Sequence, residues 1–298
     1  MIELVASRPH YATHLAPLLA HLPARLVERP SDRAEVAIVA SYADHLAARK
    51  ARARRIVVME HGVGQSYRTG HPSYPGGRDR GDAALFLTPN HYSATLWRAA
   101  YPRIPAVAIG SPRLDSLPPR EPGPGPVVAI GWHWECGVSP WAGNAWRDFR
   151  SALPALAEAF TVIGHGHPRI IDSLGPHYRR RGIEVVRDFD EVCRRADIYV
   201  ADNTSTLFEF ASTGRPVVVM NARRWRGPGP GMRFWDAANI GAQVDDPATL
   251  VDAIHRTLED RLPPIVDREA ALDVVYACRP GAAARAADII HASVSVAA

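Results

Sequence analysis

The sequence predicts an α/β protein with two doubly wound parallel sheets. Short apolar runs alternate with stretches of helical periodicity along all 298 residues, and one segment rich in proline and glycine divides this pattern into two halves. Alternation of strands and helices is typical of parallel sheets that are covered by helices on both faces. A chain of this length usually forms two domains, which agrees with the division.

Five apolar runs in the first half are predicted to be buried strands, each closed by a polar or glycine-containing turn. They are IELVA, VAIVAS, RIVVMEHG, ALFLTP and AVAIG, and helical stretches lie near residues 10–21, 42–53 and 90–100. We assign residues 1–117 to an N-terminal domain. Residues 118–126, inside SLPPREPGPGP, are predicted to be a linker because proline and glycine interrupt both helices and strands.

The pattern then restarts, and residues 127–298 are assigned to a C-terminal domain. The predicted strands are VVAIGW, FTVIGHG, IEVVR, DIYVA and PVVVM, with helices near residues 144–159, 188–196, 205–213 and 246–260. A last alanine-rich helix, 281–294, is expected to pack back on the N-terminal domain. Two Rossmann-like domains that face each other across a cleft form the GT-B arrangement, in which ligands bind beyond the carboxyl ends of the strands.

Composition limits the partners and the compartment. The formal net charge is only +4, which suits an anionic substrate or a membrane surface but lacks the dense basic stripe of a specific nucleic-acid binder. Three widely separated cysteines indicate neither a disulfide framework nor a metal site, as in a reducing cytoplasm. We find no signal peptide and no apolar run of about 18 residues. The prediction is a cytoplasmic protein, with peripheral contact at the inner face of the membrane still compatible.

Chemically informative side chains follow four predicted strands. The strand ends carry a histidine with a glycine, an arginine with an aspartate, two further histidines, and a hydroxyl-rich helix start; these are His61, Gly62, Arg113, Asp115, His165, His167, Asp202, Thr204, Ser205 and Thr206. This set suits an anionic substrate whose reaction needs a proton acceptor. A single histidine after a strand is more often structural, but two in facing domains favour catalysis.

Several of these residues have a second interpretation. Thr204 and Ser205 either cap their own helix, which stabilises it by about 1 kcal/mol, or bind phosphate at the helix start. Glu209 either contacts a ribose hydroxyl or forms a salt bridge on the helix surface. Arg113 either binds phosphate in a bidentate manner or pairs with Asp115 to brace a turn. The residues alone leave both interpretations open in each case.

Four motifs together carry a family resemblance. HG at 61–62, GSPRLD at 110–115, HP at 167–168 and DNTSTLFEFASTGRPVV at 202–218 stand in an order and spacing that resemble the CDP-glycerol:poly(glycerophosphate) glycerophosphotransferase family. These GT-B enzymes of the cell envelope polymerise chains of the teichoic-acid type. The similarity spans residues 57–220, which is most of both predicted domains.

The resemblance implies a role for each matching residue. His61 would be the general base on the acceptor hydroxyl, and His167 would lie near the phosphates and aid the leaving group. The other matching residues would bind the donor, and among them Glu209 would lie near the ribose. They are Gly62, Arg113, Asp115, Asp202, Thr204, Ser205, Thr206 and Glu209. Because no Asp-x-Asp pair or histidine cluster stands in a suitable loop, we expect a metal-independent reaction without a cofactor.

The sequence also departs from the family. Residues 129–141, AIGWHWECGVSPW, replace the segment that the family carries after the linker. The aromatic side chains of this segment either stack on a base, a sugar or an acceptor ring or form a packing cluster; they are Trp132, His133, Trp134 and Trp141. The arginines of the loop 221–235 either close over an anionic ligand or are simply solvated. The identity of the donor alcohol and of the acceptor therefore stays open.

These observations predict a transferase that uses a CDP-alcohol donor such as CDP-glycerol. It would move the phospho-alcohol to an acceptor hydroxyl, on a polymeric or lipid-linked compound, and release CMP. A GT-B glycosyltransferase with a nucleotide-sugar donor is the first alternative. A binding protein that has kept the fold and lost turnover is the second.

Overall fold

The computed structural model describes residues 1–63, 79–135, 144–202, 204–221 and 237–295. The chain forms two compact units, of which the first contains residues 1–116 and 275–298 and the second contains residues 117–274. Each unit is built on a six-stranded sheet, and every strand pair in both sheets is parallel. The predicted α/β fold class is confirmed.

The sheet of the first unit has the strand order β2-β1-β3-β4-β5-β6. Its strands are β1 (Ile2–Val5), β2 (Ala24–Val27), β3 (Val36–Val39), β4 (Ile56–Met59), β5 (Leu85–Thr88) and β6 (Ala106–Ala108). Helices α1 (Pro9–Leu15), α2 (Tyr42–Lys50) and α3 (His91–Ala100) connect them, and the C-terminal helix α11 (Ala282–Ser295) belongs to the same unit.

The central strands of this sheet are buried on both faces, which explains why they are almost continuously apolar. Because successive side chains of a strand point to opposite faces, Leu4 packs in the cluster that contains α11, whereas Val5 packs in the cluster that contains Trp97 of α3. Ala286 and Ile290 of α11 are fully or almost fully buried in the first of these clusters. The C-terminal helix is therefore part of the core of the first unit.

Asp115 fixes the start of the C-terminal helix. Its two carboxylate oxygens accept hydrogen bonds from the backbone N–H groups of Gly281 (2.8 Å) and Ala283 (2.7 Å). Gly110 allows the same segment to approach the end of β6, since a Cβ atom there would lie 2.2 Å from the carbonyl oxygen of Cys278. These contacts hold residues 278–283 against the end of the first sheet.

The sheet of the second unit has the order β12-β11-β10-β7-β8-β9. Its strands are β7 (Val127–Gly131), β8 (Thr161–Gly164), β9 (Glu184–Val185), β10 (Ile198–Ala201), β11 (Val217–Met220) and β12 (Ala242–Val244). Its helices are α4 (Trp146–Phe149), α5 (Leu153–Ala159), α6 (Ile171–Arg179), α7 (Phe189–Arg195), α8 (Ser205–Ala211), α9 (Leu250–Leu258) and α10 (Arg268–Val275).

The proline-rich segment has no regular secondary structure but is held by the second unit. The N–H of Glu121 donates to the carbonyl oxygen of Arg194 (2.8 Å), and the guanidinium of Arg120 forms two hydrogen bonds of 3.0 Å to Asp197. Across the described ranges, the helices are too short or too polar to cross a bilayer.

Candidate functional site

His61 follows β4 at the carboxyl end of the first sheet. Its Nδ1 atom lies 2.6 Å from the carbonyl oxygen of Ala40, which follows β3. Because a carbonyl oxygen can only accept, Nδ1 carries the proton and Nε2 carries the lone pair. Burial lowers the pKa of His61 to about 4, against the opposing effect of Ala40, with smaller contributions from His10 and Arg80. The imidazole of this partly exposed residue is therefore neutral at neutral pH.

Helix α1 places further aromatic side chains around His61. The ring centroids of His10, Tyr11 and His14 lie 6.4, 4.7 and 6.0 Å from that of His61. His10 and His14 are four residues apart, which puts both on one face of the helix. Burial lowers the pKa of His14 well below its usual value, and the charges of His61, Arg113 and His10 add to the effect. Sequence reasoning did not select His10 or His14, although their spacing was a usable signal.

Glu60 precedes His61 and faces α3. The indole N–H of Trp97 donates to its Oε1 atom (3.0 Å). Burial raises the pKa of Glu60 to about 7, although the indole, the Ser93 hydroxyl and the charge of Arg80 oppose this shift. Glu60 thus places a buried carboxyl group beside the candidate base. No motif in the sequence predicted Glu60 as a site residue.

The motif GSPRLD forms a 3-10 helix, Pro112–Ser116, after β6. Arg113 is buried, with 4% of its surface exposed, and its charge acts on His14. Both carboxylate oxygens of Asp115 accept hydrogen bonds from the backbone of residues 281 and 283, which gives Asp115 a structural role; its predicted contact with a donor stays a prediction. Gly62 has a φ of 70°, a conformation that favours glycine and turns the chain after His61.

Asp202 follows β10 and is completely buried. Its carboxylate accepts hydrogen bonds from the backbone N–H groups of His133 (2.7 Å) and Ala145 (2.9 Å). Burial raises its pKa to about 7, although these amides act in the opposite direction. Both oxygens join the ends of neighbouring segments, which gives Asp202 a structural role, and its predicted role in donor binding stays a prediction.

A chain of three hydroxyl groups lies at the start of α8. The hydroxyl of Tyr199 is 3.0 Å from Oγ1 of Thr206, which is 3.0 Å from Oγ1 of Thr204. Gly131 makes room for this arrangement, since a Cβ atom there would lie 2.1 Å from the Tyr199 hydroxyl. Thr204 occupies the N-cap position, but its side chain makes no capping hydrogen bond. Its hydroxyl therefore belongs to the hydroxyl chain rather than to a helix cap.

Ser205 and Glu209 stand one turn apart on α8. Ser205 is the first residue of the helix and is partly exposed, whereas only 3% of Glu209 is exposed. Thr204, Ser205 and Thr206 thus lie together at one strand end, and Glu209 lies one turn further along α8.

His167 lies after β8, next to β7 in the sheet. Its backbone N–H donates to the carbonyl oxygen of Trp132 (2.9 Å), and its Nδ1 atom accepts a hydrogen bond from the backbone N–H of Arg169 (3.2 Å). Because Nδ1 acts as an acceptor, the proton of the neutral ring is on Nε2. His167 therefore has the tautomer opposite to that of His61. The neighbouring His165 is buried and bonds through Nδ1 to the carbonyl oxygen of Val186 (2.9 Å).

The two candidate stacking tryptophans differ in their surroundings. Trp132 is 1% exposed and packs edge-on against Trp146, with ring centroids 5.2 Å apart. This environment favours the packing interpretation of Trp132 over the stacking interpretation. Trp134 is partly exposed, lies 5.6 Å from the ring of His167, and carries the guanidinium of Arg169 at 4.1 Å from its ring centroid.

Some predicted features lie outside the described residues. They are Trp141 and residues 222–235 of the arginine-containing loop. Within the ranges that the structure does describe, no group of three or more His, Cys, Asp or Glu side chains is placed to hold a metal ion.

No protein-family model matches the sequence, and no curated protein matches it either. Solved structures do match the fold. A structure of the wall teichoic acid polymerase TagF soaked with CDPG has a TM-score of 0.64 and 14% identity, covering 99% of this chain and 88% of its own. The S. aureus MnaA–UDP co-structure has a TM-score of 0.63 and 13% identity, covering 99% and 97%.

A putative UDP-N-acetylglucosamine 2-epimerase from Listeria monocytogenes is a further match, with a TM-score of 0.57, 13% identity and coverage of 99% and 95%. This chain has the fold of these enzymes. It is GT-B-like, with two six-stranded parallel sheets. At 13–14% identity the likeness establishes the fold and leaves the activity to be argued from the residues.

Proposed function

We propose that this protein is a transferase with a CDP-alcohol donor, CDP-glycerol or a close analogue, that transfers the phospho-alcohol to an acceptor hydroxyl and releases CMP. The observation that carries the proposal is the hydrogen bond from Nδ1 of His61 to Ala40, which leaves Nε2 as a proton acceptor at a partly exposed strand end. The motifs of residues 57–220 and the structural likeness to TagF support the choice of donor.

In the proposed reaction the acceptor oxygen attacks the phosphorus that bears the alcohol. The acceptor proton passes to Nε2 of His61, and the bond from this phosphorus to CMP breaks with its electron pair on the CMP oxygen. The Nε2–H group of His167 donates a hydrogen bond to the departing phosphate. Phosphoryl transfer depends mainly on positioning and charge neutralisation, so neutral imidazoles with fixed tautomers are suitable groups.

The donor would be held mainly by the second unit. If Tyr199 donates to Thr206 and Thr206 donates to Thr204, the Thr204 proton is left for a phosphate oxygen. Ser205 would supply a second hydroxyl, Glu209 would lie near the ribose, and Trp134 would offer the nucleobase a stacking surface. Arg113 and Gly62 are the donor-side residues that the motifs assign to the first unit. We place the acceptor, a polymeric or lipid-linked alcohol, at the cytoplasmic face of the membrane.

A nucleotide-sugar enzyme is the second candidate, because the UDP complex of MnaA resembles this chain as closely as TagF does, with TM-scores of 0.63 and 0.64. In a glycosyl transfer the same base would act on the acceptor, but a C–O bond would break and a nucleoside diphosphate would leave. The nature of the released nucleotide separates the two candidates. A protein that binds a nucleotide but releases none would be the binding protein considered above.

The first test is thermal stabilisation of the purified protein by CMP, CDP, CDP-glycerol, UDP, UDP-sugars, GDP-sugars and a dTDP-sugar, followed by product analysis with any donor that binds. We expect stabilisation by CMP and CDP-glycerol and release of CMP in the presence of a glycerol-phosphate acceptor. Stabilisation by UDP, GDP or dTDP compounds without a response to CDP-glycerol would overturn the proposal. A chelator is expected to leave the rate unchanged, and rescue of a chelated enzyme by a divalent cation would contradict metal independence.

A further inference from the structure

One buried tyrosine reaches from the sheet of the second unit to the first turn of α8. Tyr199 lies on β10, is 1% exposed, and packs its ring against Phe189 of α7 and Phe210 of α8, with ring centroids 5.8 and 5.4 Å away. Its hydroxyl lies beside Gly131 of β7, where a Cβ atom would be 2.1 Å from the hydroxyl oxygen. Two aromatic side chains thus hold the ring, and a glycine leaves the space that the hydroxyl needs.

Within the part of the chain that the structure describes, the Tyr199 hydroxyl has one hydrogen-bond partner, Oγ1 of Thr206 at 3.0 Å. Burial raises the pKa of Tyr199, so the phenol keeps its proton. If Thr206 were the donor, the phenolic proton would be buried without an acceptor, which is rare in native proteins because it is costly. Tyr199 is therefore the donor of this hydrogen bond, and Thr206 is the acceptor.

The direction of this hydrogen bond sets the direction of the next one in the hydroxyl chain. Oγ1 of Thr206 lies 3.0 Å from Oγ1 of Thr204. Because Thr206 accepts from Tyr199, its own proton is available for Thr204, the second hydroxyl within hydrogen-bonding distance. Thr204 then accepts, and its proton points away from Thr206. Since Thr204 is partly exposed and its side chain does not cap α8, this last proton is directed at whatever binds there.

We infer that Tyr199 is a positioning residue, which directs the hydroxyl chain so that the Thr204 proton faces a phosphate oxygen of the donor. This inference rests on the proposed function and deepens it, since it defines the ligand group at Thr204. That group is an oxygen that only accepts hydrogen bonds, as in an ionised phosphate, and a ligand hydroxyl or amide is recognised less well. Tyr199 is buried and does not touch the ligand, so it acts through Thr206 and Thr204.

The test is a double-mutant cycle between the two ends of the hydroxyl chain, with calorimetric binding of CMP, CDP-glycerol and UDP. Tyr199→Phe removes the phenolic hydroxyl and keeps the ring, so Thr206 can accept from Thr204 and the last proton turns inward. We expect this variant to bind the recognised nucleotide about fivefold more weakly, and Thr204→Val to bind it about tenfold more weakly. The double variant should bind as Thr204→Val does, because the first change acts through the group that the second removes. Additive losses, or unchanged affinity of Tyr199→Phe, would overturn the inference.

Two further variants separate this role from a general effect on stability. Thr206→Val interrupts the middle of the hydroxyl chain at a partly exposed position and should weaken binding about as much as Tyr199→Phe does. Tyr276→Phe, the matched control, removes a buried tyrosine hydroxyl from the first unit and should bind as the wild type does. Thermal unfolding checks that each variant is folded. If Tyr199→Phe does not fold, the same cycle with Thr206→Val in its place decides the question.

The outcomes also separate this inference from the proposed function. If CDP-glycerol is turned over but Tyr199→Phe and Thr206→Val bind it as the wild type does, the positioning role is wrong and the transferase stands. If both variants bind UDP more weakly than the wild type does and no CDP-alcohol is bound or turned over, the positioning role stands and the proposed function is wrong. A wild-type protein that binds none of the three nucleotides would overturn both.

Discussion

The two candidate catalytic histidines have opposite partners in the backbone. In the first unit, Nδ1 of His61 donates to the carbonyl oxygen of Ala40, whereas in the second unit Nδ1 of His167 accepts from the N–H of Arg169. The first ring therefore keeps a lone pair on Nε2, and the second keeps a proton there. One residue type at two similar strand ends thus receives an acceptor role and a donor role from the main chain around it.

The side chains that surround the two histidines also differ in chemical type. The imidazoles of His10 and His14 lie near that of His61, whereas the strand ends near His167 carry Trp134 and, beyond Asp202, the hydroxyl chain of Thr204. The first set consists of imidazoles, and the second offers hydroxyl groups and an aromatic surface. The comparison teaches that the two units carry different chemical groups at their strand ends although their sheets are alike.

Removal of the acceptor ring should have the largest effect. We expect His61→Ala to lower turnover about 1,000-fold, since general base catalysis contributes about 10²–10⁴-fold, while stabilisation by the donor persists. The measurement is turnover with thermal stabilisation by CDP-glycerol as a parallel readout. His21→Ala is the matched control in the same unit. Activity of the His61 variant within tenfold of the wild type would remove it from the mechanism.

Glu60→Gln should change the pH dependence of stability. The pKa of Glu60 is raised from 4.5 to about 7 in the folded protein, so its contribution to folding is complete below pH 4.5 and is lost as the pH rises to about 7. A shift of this size corresponds to about 3 kcal/mol. Glutamine keeps an acceptor for the Trp97 indole and does not ionise.

Denaturant unfolding at pH 5 and pH 8 checks this prediction. Between these two pH values the free energy of unfolding of the wild type should fall by about 2.5 kcal/mol more than that of the variant. His61, whose pKa is lowered to about 4, contributes in the opposite direction, but it is present in both proteins and cancels in the comparison. Parallel pH profiles of the two proteins would show that Glu60 is ionised in the folded state near neutrality.

The hydroxyl groups of the second unit should affect binding more than folding. We expect the double change of Thr204 and Ser205 to alanine to weaken donor affinity by about 10–100-fold, because hydrogen bonds to a charged group contribute about 1.5–3 kcal/mol. The melting temperature should change little, since Thr204 makes no capping hydrogen bond through its side chain. Calorimetric binding and thermal unfolding measure the two effects. A loss of stability with unchanged affinity would favour a helix cap instead.

The tautomers themselves are the subtlest difference. Carbon and nitrogen chemical shifts of the imidazoles should report a proton on Nδ1 in His61 and on Nε2 in His167 at neutral pH. The same proton position in both rings would erase the contrast between the two units. This measurement needs no substrate and is independent of the proposed reaction.

The sequence was sufficient for the fold class and for most elements, because apolar strands buried on both faces are recognisable without context. It missed β2, an edge strand with exposed central residues, and β12, which has three residues. It also gave no separate helix at α6, whose C-terminal half contains Gly175 and Pro176, or at α10. Short elements and edge strands are stabilised mainly by tertiary packing, and a local sequence pattern does not reveal these contacts.

The site was harder to predict because function and structure use the same residue types. The partners of Asp115 lie 166 and 168 residues further along the chain, so no local pattern could show that its carboxylate is occupied. Trp132 and Trp134 are two positions apart, yet one is in the core and the other is partly exposed. His10 and His14, by contrast, were visible as a helical pair and were overlooked.

The position of α11 in the first unit has a consequence for synthesis of the protein. Residues 117–274 form a contiguous unit, whereas the core of the first unit requires Ala286 and Ile290 from the end of the chain. The ribosome therefore releases every part of the second unit before it releases the last part of the first. Nascent chains usually fold from the N-terminal domain onward. Here we expect the middle of the chain to fold first and the N-terminal sheet to wait, with one apolar face uncovered, for the final helix.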